Sequence, residues 1–482
     1  MHRSLALALL LISPLLTRAD YPIFWQRYTA DPAALVWNGR LYLFCSHDSY
    51  DATRGYGYFM NDITCISTVD MKNWTDHGEV FSYRDVAWGA TLTWAPQVVE
   101  RDGRFYLYYG NGNKAIGVAV ADNPLGPYKD DRTSPLVSSD TPGVWLYDGA
   151  GNRLRPEPDV PGAQEGHDKK DPWIFDPSAF IDPNDGRAYL YFGGGHPLYS
   201  RVIRLKDNLV EVDGSAFRPN TPGFFEASWM HYYGGRYYLS YSGHTELPTG
   251  IEYVVSDDPM YEFTRPEGMS GKAGILLPNP PDNDDDNNHH SVVEYKGRWY
   301  VAYHTRSVVH ERAKAAAAGV AWCQALDGLT DHRAHQYMRS VAIDEMHHNA
   351  DGTLSTTQPT EDGLEQLEWV NPYARQEAET MAKGWGIACS GGIVTAQHAG
   401  DYIRVRGVDF GSEGAKRLTA LGQGRVEVRL DSLEGTLIAT LRFAGNDLST
   451  ASATCKTVQG VHDLYFHFPK AGTRVDYWMF EQ

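Results

Sequence analysis

Three carboxylic acids, Asp31, Asp176 and Glu226, stand at matching places in apolar stretches of the sequence. A buried carboxylate costs free energy unless it is paired or hydrogen-bonded, so three acids at equivalent positions favour a functional role. For a single site a turn or cap is an equally good interpretation, because Asp-Pro commonly opens a turn. Together the acids could supply the proton donor and the base that splitting a bond with water requires.

The three acids belong to a unit that occurs five times. In each copy an apolar stretch leads through a turn glycine into an aromatic stretch, and each copy contains Gly-Arg-x-Tyr. The turn glycines are Gly39, Gly103, Gly186, Gly235 and Gly297. Their separation of about 50 to 80 residues fits blades of four strands with variable loops, and each unit reads as a β-hairpin.

We therefore predict an all-β fold. A five-bladed β-propeller occupies residues 20–372, and a β-sandwich (jelly-roll) module occupies 373–482. A sandwich with accidentally similar hairpins is the alternative, but accidental similarity rarely recurs five times in register. The innermost strands of a propeller line one channel, so the leading positions of the five units should form a ring. The other two leading residues are Ala95 and His289.

Such a ring suits the hydrolysis of a glycosidic bond. Inversion of configuration needs a protonated acid and an ionised base about 6.5 to 9.5 Å apart, with room for water between them. A third carboxylate beside the acid raises the pKa of that acid through like-charge repulsion. Three acids thus have three distinct tasks.

Over residues 25–370 the sequence resembles glycoside hydrolase family 43. The matching stretches are TADP at 29–32, WAP at 94–96, FDPS at 175–178, FEASWM at 225–230, NHHS at 288–291 and YHTR at 303–306. The resemblance implies that Asp31 is the general base, that Asp176 orients the acid and modulates its pKa, and that Glu226 is the general acid. All three positions are intact.

The same resemblance implies the substrate contacts. Trp94 and Phe225 are expected to contact the sugar, and Arg306 is expected to lie near the carboxylates. It also implies that His289 holds a central Ca²⁺ through water. A hydrogen-bonded structural histidine is the other interpretation of His289, because calcium prefers several oxygen ligands. No cofactor is required for the chemistry itself.

The C-terminal part resembles a family 6 carbohydrate-binding module. The matching stretches are GDYI at 400–403, VDFGS at 408–412 and VHDLYF at 461–466. The segment after Phe443 lacks the tryptophan expected in the ligand cleft, and the region before Tyr402 lacks a second aromatic residue. Both departures favour a structural or weakly binding role, since sugars bind largely on aromatic faces. The resemblance further implies a structural Ca²⁺ held by Glu377, Glu379 and Asp476.

The blade pattern and the module together look most like arabinofuranosidases that remove side chains from arabinoxylan. A β-xylosidase or an exo-arabinanase on the same propeller is the alternative. A propeller that only binds carbohydrate is disfavoured, since such proteins usually replace one of the acids. The expected partner is therefore a plant cell-wall polysaccharide, arabinoxylan, or its oligosaccharides.

Charge, the N-terminal segment and cysteine content bear on the partners, the cellular location and the disulfides of the protein. The net charge of −18 disfavours nucleic acid as a partner, because binding it needs a basic face. Residues 1–19 have the charge, apolar core and small-residue order of a signal peptide cleaved near Ala19, which predicts a secreted, extracellular or periplasmic protein without a membrane span. Among the five cysteines, Cys45 with Cys65 and Cys389 with Cys455 are plausible disulfide pairs, although sequence cannot fix the connectivity.

Overall fold

The computed structural model describes residues 21–482 except 52, 155–171, 246–248, 267–273, 284–286, 327, 328, 330, 331 and 362. The predicted signal peptide, residues 1–19, lies outside the described residues. Within the described ranges, no helix is long and apolar enough to cross a membrane.

Five antiparallel sheets follow one another along the N-terminal part of the chain. The first two are β1 (Ala30–Trp37), β2 (Arg40–Ser46), β3 (Asp62–Thr68) and β4 (Trp74–Ser82), then β5 (Trp94–Arg101), β6 (Arg104–Gly110) and β7 (Ile116–Ala121). The third and fourth are β8 (Ser178–Ile181), β9 (Ala188–Phe192), β10 (Arg201–Leu205) and β11 (Val212–Phe217), then β12 (Phe224–Tyr233), β13 (Arg236–Gly243), β14 (Gly250–Ser256) and β15 (Gly274–Leu277). The fifth is β16 (His290–Tyr295), β17 (Arg298–Thr305) and β18 (Ser340–Met346).

Each predicted hairpin forms the first two strands of one of these sheets. In the first copy Trp37 pairs with Arg40, so Asn38 and Gly39 alone make the turn. Their φ angles are 47° and 73°, the left-handed values that a two-residue hairpin turn needs. The third copy differs, because its hairpin closes between Ile181 and Ala188 around a longer loop.

Apolar clusters fill the space between successive sheets. One cluster joins the first sheet to the second, for example through Phe44 and Leu107, and further clusters join the second to the third, the third to the fourth and the fourth to the fifth. A fifth cluster, which includes Leu43 and Ile343, packs the last sheet back onto the first. The series of five sheets therefore closes on itself.

Three helices lie between β17 and β18, namely α1 (Ser307–Ala317), α2 (Ala321–Gln324) and α3 (His332–Tyr337). The alanine-rich run of α1 favours a helix because alanine has the highest helix propensity. The buried side chains of Val309, Ala334 and Met338 pack with Tyr56, which anchors the helices to the loop after β2.

Two facing sheets form the C-terminal part. Its strands are β19 (Gln376–Glu377), β20 (Thr380–Met381), β21 (Lys383–Trp385), β22 (Ile387–Ser390), β23 (Ile393–Ala396), β24 (Asp401–Asp409), β25 (Ala415–Gln423), β26 (Arg425–Leu430), β27 (Leu437–Arg442), β28 (Ser449–Val458), β29 (Val461–Phe468) and β30 (Arg474–Glu481). One sheet has the order β22-β23-β30-β25-β28, with β19 beside β30, and the other has the order β21-β24-β29-β26-β27. Phe466 of one sheet and Trp478 of the other meet at 5.2 Å in their shared core, as in a β-sandwich.

The two parts share a sheet. Strand β20 of the C-terminal part pairs with β4, so that Met381 lies opposite Trp74 and Thr380 opposite Thr75. The hydroxyls of these two threonines also hydrogen-bond at 2.8 Å. This pairing covers the outer edge of the first sheet, an edge that would otherwise expose unpaired backbone groups.

Both predicted disulfides are wrong, and all five cysteines are free thiols. Phe44, and not Cys45, lies opposite Cys65, so Cys45 and Cys65 point to opposite faces of the first sheet. Cys389 lies on β22 and Cys455 on β28, the two edges of one sheet, with three strands between them. Strands about 4.8 Å apart in a sheet therefore keep these two sulfurs far beyond bonding distance.

Candidate active site

A repeated backbone kink orients the predicted acids. Asp31, Ala95 and Asp176 have φ angles of 50°, 43° and 50°, and Ala227, which follows Glu226, has 60°. The register of β1, β5 and β12 shifts at these positions, which marks a β-bulge that re-aims a side chain. In the fourth sheet the acid precedes the kinked residue by one position, which explains the offset of Glu226 in the repeat.

Asp31 lies in a positively charged setting. It is 4% exposed, and one of its carboxylate oxygens accepts a 2.6 Å hydrogen bond from Nη1 of Arg339. Nδ1 of His289 and Nδ1 of His304 each lie 3.5 Å from the same oxygen. Burial alone would raise the pKa of Asp31, but the Arg339 charge holds that pKa well below its ordinary value. Asp31 is therefore an ionised carboxylate.

His304 is held as a neutral imidazole. Its Nδ1 accepts the backbone N–H of Asp31 at 3.3 Å, so its proton resides on Nε2, which contacts the carbonyl oxygen of Asn287 at 2.8 Å. Burial lowers the pKa of His304, in agreement with the neutral form. This histidine thus fixes the backbone at the kink that carries Asp31.

Asp176 and Glu226 form the opposite electrostatic setting. Both are 6% exposed, and an Asp176 oxygen accepts the backbone N–H of Ala227, next to Glu226, at 3.2 Å. Burial first, and then the negative charges of Glu226 and Asp31, raise the pKa of Asp176 well above its ordinary value. The site therefore combines an ionised carboxylate with a pair of carboxyls that favours retention of a proton.

His289 lies between these two settings, with Nδ1 3.5 Å from Asp31 and 3.7 Å from Asp176. Burial lowers the pKa of His289 to about 4, so the ring is neutral. The residue thus occupies the ring position that the repeat predicts. Among the described residues, no group of three or more His, Cys, Asp or Glu side chains is arranged to hold a metal ion.

Sequence reasoning missed Arg339. This residue precedes β18, is 2% exposed, and spans two carboxylates. Besides Asp31, it binds Asp48 through Nε at 2.8 Å, through Nη2 at 2.7 Å and through its backbone N–H at 2.9 Å. Neither Arg339 nor Asp48 occupies a repeat position. The only signal in the sequence is a charged residue immediately before a buried strand.

Asn287 was also missed. Its Nδ2 donates to Oε1 of Glu226 at 3.0 Å, and its Oδ1 accepts from Nη1 of Arg339 at 3.3 Å. One amide therefore connects the acid side of the site with the base side.

The three residues predicted to contact or lie near the substrate differ in how far they are exposed. Trp94 and Phe225 are partly exposed, unlike the carboxylates. Trp94 meets Tyr58 edge-on at 6.0 Å, and Phe225 stacks on His244 at 4.2 Å. Arg306 is fully buried, and its backbone N–H donates to Asp282 at 2.8 Å.

Arg306 affects the histidine next to the base Asp31. Its positive charge helps to lower the pKa of His304, the neighbour of Asp31, although burial has the largest effect on that pKa. Arg339 supplies the guanidinium that contacts Asp31 directly, and the position of Arg306 near the carboxylates stays a prediction.

An arginine contacts two of the three carboxylates predicted to bind calcium in the C-terminal part. Arg375 binds Glu377 at 2.7 Å and lies 3.3 Å from Asp476. One Glu379 oxygen is buried without a hydrogen bond, and burial, followed by the charges of Glu377 and Asp476, raises the pKa of Glu379 to about 7. Arg375 is thus the cation that contacts Glu377 and Asp476, and calcium binding by these carboxylates stays a prediction.

Comparison with known proteins identifies the family. The model of glycosyl hydrolases family 43 matches residues 20–144 and 163–354. An arabinoxylan arabinofuranohydrolase of Bacillus subtilis (strain 168) is 34% identical over 96% of this chain and 92% of its own length. The chain belongs to glycoside hydrolase family 43. The resemblance inferred from the sequence is therefore confirmed, and this family 43 protein is a glycoside hydrolase.

Other relatives agree with this result. An arabinoxylan arabinofuranohydrolase of Paenibacillus polymyxa is 34% identical over 95% of this chain and 74% of its own length. The crystal structure of a family 43 arabinoxylan arabinofuranohydrolase from Bacillus subtilis in complex with cellotetraose superposes with a TM-score of 0.77 at 31% identity, over 96% of this chain and 98% of that one. Residues 377–482 match the model of the family 6 carbohydrate-binding module.

Proposed function

We propose that this family 43 enzyme is an inverting hydrolase that removes α-L-arabinofuranosyl side chains from arabinoxylan. The observation that carries the proposal is the opposite setting of its carboxyl groups, with Asp31 held ionised and the Asp176–Glu226 pair favouring a proton. Two carboxyl environments shifted apart identify an acid and a base. The names of the two relatives, both arabinoxylan arabinofuranohydrolases, support the choice of substrate.

The architecture that supports this chemistry is a five-bladed β-propeller over residues 20–372, followed by a β-sandwich module over 373–482. The closed series of five packed sheets supports the blade number. The kinked residues Asp31, Ala95, Asp176 and Ala227, at the inner strands of the first four sheets, then face one channel. Residues 1–19 are a cleaved signal peptide, and the enzyme acts outside the cytoplasm.

In the proposed reaction, Glu226 donates its proton to the glycosidic oxygen as the bond from that oxygen to the anomeric carbon breaks. Asp31 takes a proton from a water molecule whose oxygen bonds to the anomeric carbon from the opposite face. One water is consumed, and the two carboxyls then exchange their protons with solvent. Because two negative charges side by side are disfavoured, the Asp176–Glu226 pair retains one proton, which the proposed reaction takes from Glu226.

The remaining residues hold these groups in place. Arg339 keeps Asp31 ionised and fixes one of its oxygens, and Asn287 orients Glu226. Trp94 and Phe225 present partly exposed rings to the sugar, in keeping with the apolar face that a furanoside offers. None of these steps requires a cofactor.

Proton NMR of the sugar released from arabinoxylan tests the proposal, with Glu226→Ala as the control. Initial release of β-arabinofuranose that disappears in the variant is the expected result. Release of xylose would instead indicate a β-xylosidase. Absence of any released pentose would favour a propeller that only binds carbohydrate.

A further inference from the structure

A cleft of about 160 Å³ lies between the N-terminal and C-terminal parts, and none of the three catalytic carboxylates lines it. We call it the tryptophan cleft. Its N-terminal wall comprises Trp25, Arg312 and Trp322, and its C-terminal wall includes Trp385, Gln397 and His398. At roughly 30 Å³ per water, it has room for about five waters or for one sugar ring.

Aromatic rings dominate this cleft. Trp385 meets Trp25 edge-on at 5.7 Å and Trp322 at 5.1 Å, and the imidazole of His398 stacks on Trp322 at 5.5 Å. The Lys383 ammonium lies 3.9 Å from the centre of the Trp25 ring. Trp25 is 7% exposed, whereas Trp322 and Trp385 are only half-buried and keep part of their surface in contact with solvent.

Polar groups accompany the rings. Nδ1 of His398 is buried and makes no hydrogen bond within the described structure, although Asp401 lies 3.6 Å away. Gln397 is exposed at the rim, and Nη2 of Arg312 donates to the Trp25 carbonyl oxygen at 2.9 Å. Ligand pockets typically combine aromatic walls with a few placed polar groups, and sugar hydroxyls are partners for such groups.

We propose that the tryptophan cleft binds one neutral sugar ring of the xylan backbone. The half-buried Trp322 and Trp385 give the apolar face of the ring a surface, and the exposed Gln397 at the rim bonds its hydroxyls. The identity of this sugar rests on the proposed function. The residues after Phe443, where a family 6 module would carry its ligand tryptophan, are not among those that line the cleft.

The location of the tryptophan cleft allows a second contact to a bound polysaccharide. Its walls come from both parts of the chain, and the first sheet is also bound to the module through β20. A backbone sugar held there adds a second contact to a polysaccharide whose side chain occupies the active site. Linked sites raise the affinity for a polymer without changing the affinity for a small substrate.

The first test is oxidation footprinting of the inactive Glu226→Gln variant, read by mass spectrometry with and without linear xylohexaose. Protection of Trp322 and Trp385 is expected. Trp369 is the internal control, because it is 57% exposed and does not line the cleft. Unchanged oxidation of Trp322 and Trp385 at saturating xylohexaose would overturn the proposal.

The second test measures affinity for soluble arabinoxylan by affinity electrophoresis in the same inactive background. Trp322→Ala should weaken binding about fivefold to tenfold, the range expected for loss of an aromatic contact, whereas Trp322→Phe and the matched Trp369→Ala should not. Equal binding by a folded Trp322→Ala variant refutes the proposal. If Trp322→Ala does not fold, the oxidation footprint of the Glu226→Gln variant, whose cleft is unsubstituted, tests the proposal by itself.

The two proposals can fail separately. Binding and footprinting use inactive protein, so they report on the cleft whatever the enzyme hydrolyses. Protection of Trp322 without arabinose release by the active enzyme would refute the proposed function alone. Release of arabinose without protection would refute the cleft alone.

Discussion

Replacing Arg339 by glutamine should move the acid limb of the activity profile. The Arg339 guanidinium lies 2.6 Å from an Asp31 oxygen in a buried site. Two unit charges about 4 Å apart attract by ~4 kcal/mol at an effective dielectric constant of 20. At 1.36 kcal/mol per unit, that corresponds to about three pKa units. Burial, which raises the pKa of Asp31, remains in the variant.

The sign follows from the role of Asp31 as a base. In the wild type its pKa is below the ordinary value of 3.8, so activity should persist as the pH falls to about that value. In Arg339→Gln the pKa of Asp31 rises, and the acid limb of kcat/KM should move two to three units toward neutral pH from its wild-type position, a shift of the size that loss of the charge pair predicts. The assay is kcat/KM on an aryl arabinofuranoside between pH 3 and pH 9.

Stability must be separated from this effect. Arg339→Gln leaves the Asp48 charge buried without its partner, which should cost about 3 to 5 kcal/mol. The double variant Arg339→Gln with Asp48→Asn removes both charges and should recover much of that loss, yet keep the shifted acid limb. Asp48→Asn alone keeps Arg339 on Asp31 and should leave the acid limb low.

Arg201→Gln is the matched control. Arg201 lies on β10 of the third sheet and is also almost fully buried. Its Nη2 donates to the carbonyl oxygen of Val144 at 2.6 Å. This variant should lose stability without moving the acid limb. If Arg339→Gln lowers kcat/KM equally at all pH values, then Arg339 does not control the protonation of Asp31 and the reasoning is wrong.

Three further predictions concern the acid pair, the thiols and the module. Asp176→Asn should shift the basic limb of kcat/KM to lower pH by at least one unit, because like-charge repulsion within the Asp176–Glu226 pair no longer favours retention of its proton; an unmoved basic limb would contradict this role. The unfolded chain should titrate five thiols without prior reduction, and reductant should leave the melting temperature unchanged. Deletion of residues 373–482 should lower the melting temperature by several degrees in calorimetry, because it uncovers Trp74, now 1% exposed opposite Met381.

Local patterns made much of the site readable from the sequence. A two-residue turn such as Asn38-Gly39 depends on backbone preferences of adjacent residues, so the hairpins could be located without tertiary information. The acids Asp31 and Asp176 stand at the same kink of the first and third units, and the family resemblance implies their roles as base and modulator. These acid and base roles are still predictions that the variants above test.

The state of the cysteines could not be predicted from the sequence pattern. Cys45 and Cys65 lie on neighbouring strands of one domain, but a register offset of one residue puts them on opposite faces. Cys389 and Cys455 lie in one sheet, but strand order puts them at its two edges. Register and strand order are set by the packing of whole sheets, which no spacing of cysteines encodes.

The sequence by itself determined the repeat, the three acids and the family. Only the tertiary structure decided the charges around the base, because Arg339 is 308 positions from Asp31 and meets it where the last sheet packs against the first. The same closure places Asn287 between Arg339 and Glu226. Turn chemistry acts over a few residues, whereas a buried ion pair depends on every sheet that brings its two partners together.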